Sequence, residues 1–361
     1  MPVYKDKEKG TWFVTCRYKD WSGNTRQKKK RGFQTKREAR EWEISFKTKR
    51  EGGFNLTLSE FFQLYQEDIK PRVKYNTWLT KEYVFRSKIL PYLGNKCLSD
   101  ISARDIILWQ NTLTSQGTNR GERYSDSYLR TIHQDLSAVF NHAIRYYDFP
   151  ANPARKAGTM GGDNKKEMLF WTLEEYSKFA QVVRDNPHYY HAFQLLYWCG
   201  IREGELLALS KGDFDFDGGS LRINKSYQRL RGKDYITGPK TQKSNRVITM
   251  PEELRRELKE YLEVRRDLGE RDRIFKMNKT GLYREMTRCS KIAGVKRIRI
   301  HDLRHSHVSL LIEMGFTPLA IGERVGHESE RVTYRYAHLF PNKQQEMAEQ
   351  LNRIMLPNRC Q

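Results

Sequence analysis

The chain has 361 residues, with 66 Lys and Arg against 44 Asp and Glu and a formal net charge of +22. A charge of that size and sign favours a polyanionic partner, either a nucleic acid or an anionic membrane surface. No run of about eighteen apolar residues occurs, so no membrane-spanning helix is expected. The start, "MPVYKDKEKG", lacks the apolar stretch of a signal peptide. Cys16, Cys97, Cys199, Cys289 and Cys360 are scattered, with no CxxC pair and no Cys/His cluster. That usage points to a reducing cytoplasm and away from zinc.

Residues 1–52 form a small basic unit with 16 Lys and Arg against 7 Asp and Glu. "GTWFVTCRY" alternates like a half-buried strand, "WSGN" reads as a turn and "TRQKKKRGF" as a second strand. In "TKREAREWEISFKTKRE", Ala39, Trp42 and Phe46 recur at helical spacing, so a small sheet backed by one helix is expected. "EGGFN" reads as a linker. Residues 55–153 read as a helical domain, opened by the capping pair Thr57 and Glu60. It contains an apolar stripe at Leu129, Ile132, Leu136, Val139, Phe140 and Ala143. "NPARKAGTMGGDNKK" reads as a second linker. Residues 165–361 begin helical behind the capping pair Thr172 and Glu175. They pass through strand-like "SLRINKSY" and "NRVITM", then return to helices. The expected fold is multidomain α+β: a three-stranded sheet with a helix, a helical domain, and a mostly helical domain with a small antiparallel sheet.

The last domain carries the chemistry. "YWCGIREGELLALSKGDFD" sets Arg202 and Glu205 one helical turn apart. "GPKTQKSNRVITM" holds Lys240 beside a strand, "HDLRHSHVSLL" holds His301 and Arg304, and "VGHESERVTYRYAHLF" holds His327, Tyr334 and Tyr336. Each fragment alone has an ordinary reading. An Arg and Glu three apart make a surface pair worth ~0.3–0.5 kcal/mol, a hairpin Lys is solvated, and a Tyr among apolar residues is core. Together they fit phosphodiester displacement. Guanidiniums bind non-bridging oxygens through forked donors. A Tyr hydroxyl can attack if a His takes or orients its proton. A Lys can protonate the leaving 5′ oxygen. This chemistry requires no metal.

These four stretches, in this order, resemble the tyrosine recombinases, the phage-integrase family. The helical segment resembles that family's core-binding domain. "YKDWSGNTRQKKKRGFQTKREAREW" resembles the three-stranded arm-binding domain of integrases from conjugative transposons and temperate phages. The resemblance implies that Arg202 and Arg304 clamp the phosphate and that Lys240, or Lys243, is the general acid. It makes His301 the proton acceptor or orienter, places His327 on the scissile phosphate, and has Glu205 hold the site together. In the family the nucleophile follows the second histidine by about nine residues, with a small residue and a His after it. Tyr336, followed by Ala337 and His338, fits that spacing and Tyr334 does not.

The implied function is integration and excision of a mobile element through a 3′-phosphotyrosyl link and a Holliday junction, without ATP or cofactor. The implied partners are double-stranded DNA at core and arm sites, a homotetramer on that DNA and an excision-directing accessory protein. The expected location is the bacterial cytoplasm at the nucleoid, not a membrane. Arg17, Arg26, Lys28, Lys30 and Arg31 are the expected arm contacts, with the sheet in a major groove. Met347, Leu351, Ile354 and Met355 form a stripe that docks either on a neighbouring subunit or in cis. A type IB topoisomerase and a non-catalytic DNA-binding regulator are the alternative readings.

Overall fold

Capping side chains fix where several helices of this chain begin, and apolar spacing fixes which faces they bury. The computed structural model describes residues 3–5, 10–19, 25–51, 56–117, 121–162, 168–239, 242–327, 336, 348–349 and 351–352. They fall into two compact units, Met1–Lys165 and Lys166–Gln361. No helix among the described residues is long and apolar enough to cross a membrane.

The first unit starts with strands β1 (Val3–Lys5), β2 (Trp12–Lys19) and β3 (Thr25–Phe33), an antiparallel sheet in that order. Helix α1 (Lys36–Glu51) follows, and Thr35 Oγ1 accepts the Glu38 N–H at its start. Val14, Cys16, Phe33 and Ala39 make a small buried core, with Trp12 and Trp42 packed on it. The alternation of "GTWFVTCRY" produces this arrangement, because every second side chain faces α1.

Helices α2 (Leu58–Ile69), α3 (Tyr75–Val84), α4 (Leu90–Leu93), α5 (Ala103–Gln116), α6 (Asp126–Tyr147) and α7 (Pro153–Ala157) form a second core. The expected capping box is present: Glu60 N–H donates to Thr57 Oγ1 (3.3 Å) and Thr57 N–H to Glu60 Oε2 (2.8 Å). Between α3 and α4, Phe85–Ile89 widens into a π-helical turn. It lies just before Pro91, whose ring would meet the Ser87 carbonyl in a regular helix. The stripe on α6 is its buried face, and Phe62 stacks on Phe85 with ring centroids 4.2 Å apart.

The stretch after Asn152 departs from a linker. Asn152 Oδ1 accepts the Ala154 and Arg155 N–H groups (2.9 and 3.1 Å), Pro153 occupies the first helical turn, and Ala154 and Met160 are buried in the helical core. Proline and glycine there mark a capped turn that stays packed.

The second unit contains α8 (Leu173–Val183), α9 (Pro187–Trp198), α10 (Glu203–Leu206), β4 (Phe214–Asp215), β5 (Ser220–Ile223), β6 (Ser226–Leu230), β7 (Lys233–Thr237), β8 (Arg246–Thr249), α11 (Glu252–Val264), α12 (Lys279–Ile292), α13 (Asp302–Glu313) and α14 (Pro318–Val325). Strands β4, β5 and β8 form one antiparallel sheet, and β6 with β7 a separate hairpin. "SLRINKSY" is therefore two strands. Lys225 between them is held by Ser210 Oγ (2.7 Å) and Asp213 Oδ2 (2.8 Å), where the chain passes from one sheet to the other. Thr172 and Glu175 cap α8 reciprocally, as their spacing predicts. Trp171, Phe179, Phe193 and Tyr197 centre the core, each such burial contributing about 1.5–3 kcal/mol.

Asn152→Ala tests the capped turn. It removes the oxygen that accepts the Ala154 and Arg155 N–H groups, and the Nδ2 donor to Ser137 O and Asn141 Oδ1 (3.0 and 2.9 Å in the wild type). Destabilisation of the helical core by about 2–3 kcal/mol is expected. Hydrogen exchange of the α6 and α7 amides measures it, and unchanged protection would show that the cap is dispensable.

Candidate active site

Five pieces of the second unit converge on one cluster of charges. At the α9–α10 corner, Gly200 has φ +59, and a Cβ there would sit 2.4 Å from His307 Cδ2 on α13. Only glycine lets that corner approach α13. The Gly200 carbonyl accepts Arg304 Nη1–H at 2.8 Å.

Arg202 caps α10, and Glu205 answers it as the third helical residue. The Arg202 backbone N–H donates to Glu205 Oε2 (2.9 Å) and its guanidinium to Oε1 (2.7 Å). Arg246, from β8, donates to the same carboxylate through Nη1 (3.2 Å) and Nη2 (3.0 Å). Glu205 and Arg246 are each 6% exposed. Burial alone would raise the Glu205 pKa, but the Arg246 hydrogen bonds and charge, followed by the Arg202 charge, hold it below the usual value.

Helix α14 closes the site. It ends at Gly326 in the left-handed region (φ +69), whose carbonyl accepts Arg202 Nη2–H at 3.0 Å. A Cβ on Gly326 would lie 2.9 Å from the Lys243 carbonyl and 3.0 Å from Arg246 Cδ. Arg324 ties the helix down by donating to His307 Nε2 (3.2 Å), Thr249 O (3.1 Å) and Trp198 O (3.2 Å).

Arg304 is 3% exposed. Burial, then Arg202 and Arg246, push its pKa down to about 9, so it still carries its charge at neutral pH. Its Nη2 has no hydrogen-bond partner among the described residues. His327 is buried, and burial followed by Arg304 and Arg202 drives its pKa to about 3. His301 has an edge in solvent, yet the surrounding protein and then Arg304 keep its pKa below the imidazole norm. Tyr336 is buried against Val308, Ile312, Ile321 and Val325, and its hydroxyl meets His305 Nδ1 in a short hydrogen bond.

Arg202, Glu205, His301, Arg304, His327 and Tyr336 thus share one site. Lys240 and Tyr334 lie outside the described residues, as do Met347, Ile354 and Met355. Lys243 is exposed, and Leu351 is 58% exposed. Two members escaped the sequence reading, Arg246 and His305. The alternation of β8 could have flagged Arg246, since it shares the inward face with Ile248 while Val247 points out. His305 stands one turn from His301 on the same helical face.

The arm sheet divides the predicted basic residues between its two faces. Phe13 pairs with Arg31, Thr15 with Lys29 and Arg17 with Gln27, while Val14 pairs with Lys30 and Cys16 with Lys28. Paired residues share a face, and Val14 and Cys16 face α1. Lys28 and Lys30 are therefore on the helix side: Lys30 Nζ lies 5.1 Å from the Trp42 ring centre, and Lys28 Nζ is 3.7 Å from Asp148. The Arg26 backbone pairs with Tyr18, and its side chain lies outside the described residues. The open face presents Tyr4, Phe13, Arg17, Lys29 and Arg31, with Lys29 Nζ 4.3 Å from the Phe13 ring centre. Lys29 is the contact candidate that the sequence reading omitted.

The sequence pattern described as the phage integrase family matches residues 170–343. The chain carries the phage integrase family's catalytic domain. It is a tyrosine recombinase, an enzyme that breaks and rejoins DNA. The phage integrase N-terminal SAM-like domain matches residues 57–114, and the arm DNA-binding domain matches residues 2–50. Among relatives, the ICEBs1 integrase of Bacillus subtilis (strain 168) is 28% identical over 343 residues, spanning 91% of this chain and 88% of that one. A putative prophage phiRv2 integrase of Mycobacterium tuberculosis is 28% identical over 275 residues, 74% of this chain and 70% of its own. In fold, the chain is similar to the Tn1549 transposon integrase in complex with transposon right end DNA (TM-score 0.68, 20% identity, 83% and 100% of the two chains). It is also similar to a lambda integrase tetramer bound to a Holliday junction (TM-score 0.58, 18% identity, 92% and 94%).

Arg246→Met tests the shared carboxylate of this recombinase. It leaves buried Glu205 with Arg202 alone, and a loss of about 2–4 kcal/mol is expected. Hydrogen exchange in α10 and β8 reads the loss. Glu205→Gln in the same chain should recover part of it, and strictly additive effects would show that the two residues do not act through each other.

Proposed function

We propose that this recombinase integrates and excises a mobile DNA element, with Tyr336 as nucleophile and Arg202 and Arg304 as the phosphate clamp. One observation carries the reading. Three guanidiniums, Arg202, Arg246 and Arg304, gather around the single carboxylate of Glu205, and one buried Arg304 nitrogen has no partner among the described residues. The nearby Asp302 is occupied by Arg299 (2.7 Å). An anion with several oxygens in a fixed geometry, such as a phosphodiester, answers that imbalance.

In this reading the two arginines bind the non-bridging oxygens as charge grows on them. His327, neutral at physiological pH, adds a hydrogen bond to the same phosphate, and His301 stands beside the reacting groups. Tyr336 attacks phosphorus, and the 5′ oxygen leaves with a proton from Lys240, a role that rests on the sequence resemblance. The bond energy stays in the 3′-phosphotyrosine, so a 5′-hydroxyl from a partner duplex can reverse the step. Two duplexes exchanged in turn call for four protomers and a Holliday junction, and an accessory protein would bias the direction toward excision. The three-part division, 1–52 for arm DNA, 55–153 for core DNA and 165–361 for chemistry, belongs to this proposal. So does a cytoplasmic location at the nucleoid.

On a nicked duplex that traps the covalent intermediate, Tyr336→Phe should fold and bind but form no adduct, while Tyr334→Phe should keep it. DNA mapped by mass spectrometry to Tyr334 would refute the assignment. Arg304→Lys keeps the charge and loses the fork, so adduct formation should fall about 10²–10³-fold with little change in binding. A near wild-type rate removes Arg304 from the clamp.

The open arm face gives a separate expectation. Lys29→Ala and Arg31→Ala should each weaken arm-site binding and lower its salt slope by about one, whereas Lys30→Ala should do less. Footprinting and salt titration measure this, and equal losses for all three would mean that the open face is not the contact surface.

A further inference from the structure

Among the described residues, the histidine hydrogen-bonded to the Tyr336 hydroxyl is neither His301 nor His327. It is His305, on α13 beside Arg304. Its Nδ1 is hydrogen-bonded to the Tyr336 hydroxyl, with the two ring centres 5.5 Å apart. His301 stands edge to face with His305 at 5.0 Å. A neutral imidazole has one donor nitrogen and one acceptor nitrogen. Asp302 Oδ1 lies 3.8 Å from His305 Nε2, and a carboxylate can only accept. At that distance the carboxylate acts by its charge and not through a hydrogen bond; it favours the tautomer with the proton on Nε2, in which the Nδ1 lone pair receives the Tyr336 O–H. Asp302 is itself fixed, 1% exposed, with Arg299 donating to it from the backbone N–H (2.8 Å) and from Nη2 (2.7 Å).

We propose that His305 is the base that takes the Tyr336 proton, with Asp302 orienting its ring and His301 supporting the pair from the side. The inference rests on Tyr336 being the nucleophile. As the Tyr336 oxygen bonds to phosphorus, its proton passes to His305 Nδ1. The electron pair of the breaking bond leaves with the 5′ oxygen, which takes a proton from Lys240. The resulting imidazolium carries N–H on both nitrogens, and Asp302 offsets its charge on the Nε2 side. When a 5′-hydroxyl attacks the phosphotyrosine, its proton returns to Lys240 and Nδ1–H gives its proton back to the departing Tyr336 oxygen. Among the described residues, the titratable and charged groups facing His305 are Tyr336, His301, Asp302, Arg299, Arg304 and His327. Burial, then His301, holds His305 at about 4, so it is neutral and able to accept at working pH.

The test uses the full chain in single turnover on a nicked duplex carrying the core sequence on which the wild type forms its adduct. His305→Asn sets an amide oxygen near the Nδ1 position, so it can receive the hydroxyl but cannot take the proton. Binding should be unchanged and adduct formation should slow by about 10²-fold or more. The rate should also rise about tenfold per pH unit between about 7 and 9, where the wild type is flat, because the phenol must first lose its proton to solvent. A rate within about threefold of wild type, or a flat profile, overturns the proposal. Should His305→Asn misfold, nitrogen NMR of DNA-free wild type decides: a proton on Nε2 at pH 7 supports the assignment and one on Nδ1 overturns it. A wild type that forms no adduct, or forms it on another residue, sinks the function reading and this inference together. A Tyr336 adduct with undiminished His305→Asn sinks this inference alone.

Discussion

The site depends on one buried carboxylate shared by two guanidiniums. Glu205 takes Arg202 from its own helix and Arg246 from β8, and Arg202 in turn reaches the end of α14. Removing guanidiniums such as Arg246 and Arg304 from water is expensive, and the energy is recovered only if each finds well-placed acceptors. Among the described residues that condition is met for Arg246 and incompletely met for Arg304. The arrangement holds positive charge in place before any anion arrives. Pre-set charge of this kind needs no reorganisation during reaction, which is what makes it effective in a partly dry site.

Two glycines with left-handed backbones aim the proposed clamp. Gly200 gives its carbonyl to Arg304, and Gly326 gives its carbonyl to Arg202. In both places a Cβ would strike the structure that the clamp rests on: the His307 ring in one case, the Lys243 carbonyl and Arg246 in the other. Each glycine therefore serves twice, as the only residue that fits and as the acceptor that sets a guanidinium's swivel. Changing either would move an arginine without touching it.

Much of this was legible in the sequence. Thr57 with Glu60 and Thr172 with Glu175 announced helix starts because a reciprocal cap needs only local geometry. The α6 stripe announced its buried face because helical periodicity is local too. The cluster of Arg202, Glu205, His301, Arg304, His327 and Tyr336 was reached through resemblance and chemistry, and the fold draws these residues together. What escaped depends on long-range register. Which lysines of "KKK" face outward is set by pairing with β2, which places Lys29 opposite Thr15 and Lys30 opposite Val14. Among three histidines in "HDLRHSH", only the placement of Tyr336 distinguishes His305, a contact made across 31 residues of sequence. Asn152 escaped because Pro and Gly nearby suggested a linker, while its side chain joins α6 to α7.

The arm sheet is under a different constraint. Among the described residues its buried core is Val14, Cys16, Phe33 and Ala39. At about 1.5–3 kcal/mol for each large side chain, that is small beside the entropy of ordering so many residues. Aromatic rings add what the core lacks. Lys29 lies over Phe13, Lys30 over Trp42 and Lys36 over Trp12, at 4.3, 5.1 and 5.8 Å, so charged side chains cover apolar surface. The cost is crowding of like charge on two neighbouring strands, which works against the fold at low salt. Phosphates along the open face would cancel that repulsion while leaving the ring contacts on the helix side intact. If the open face is the DNA contact, binding DNA and stabilising the arm are the same electrostatic event.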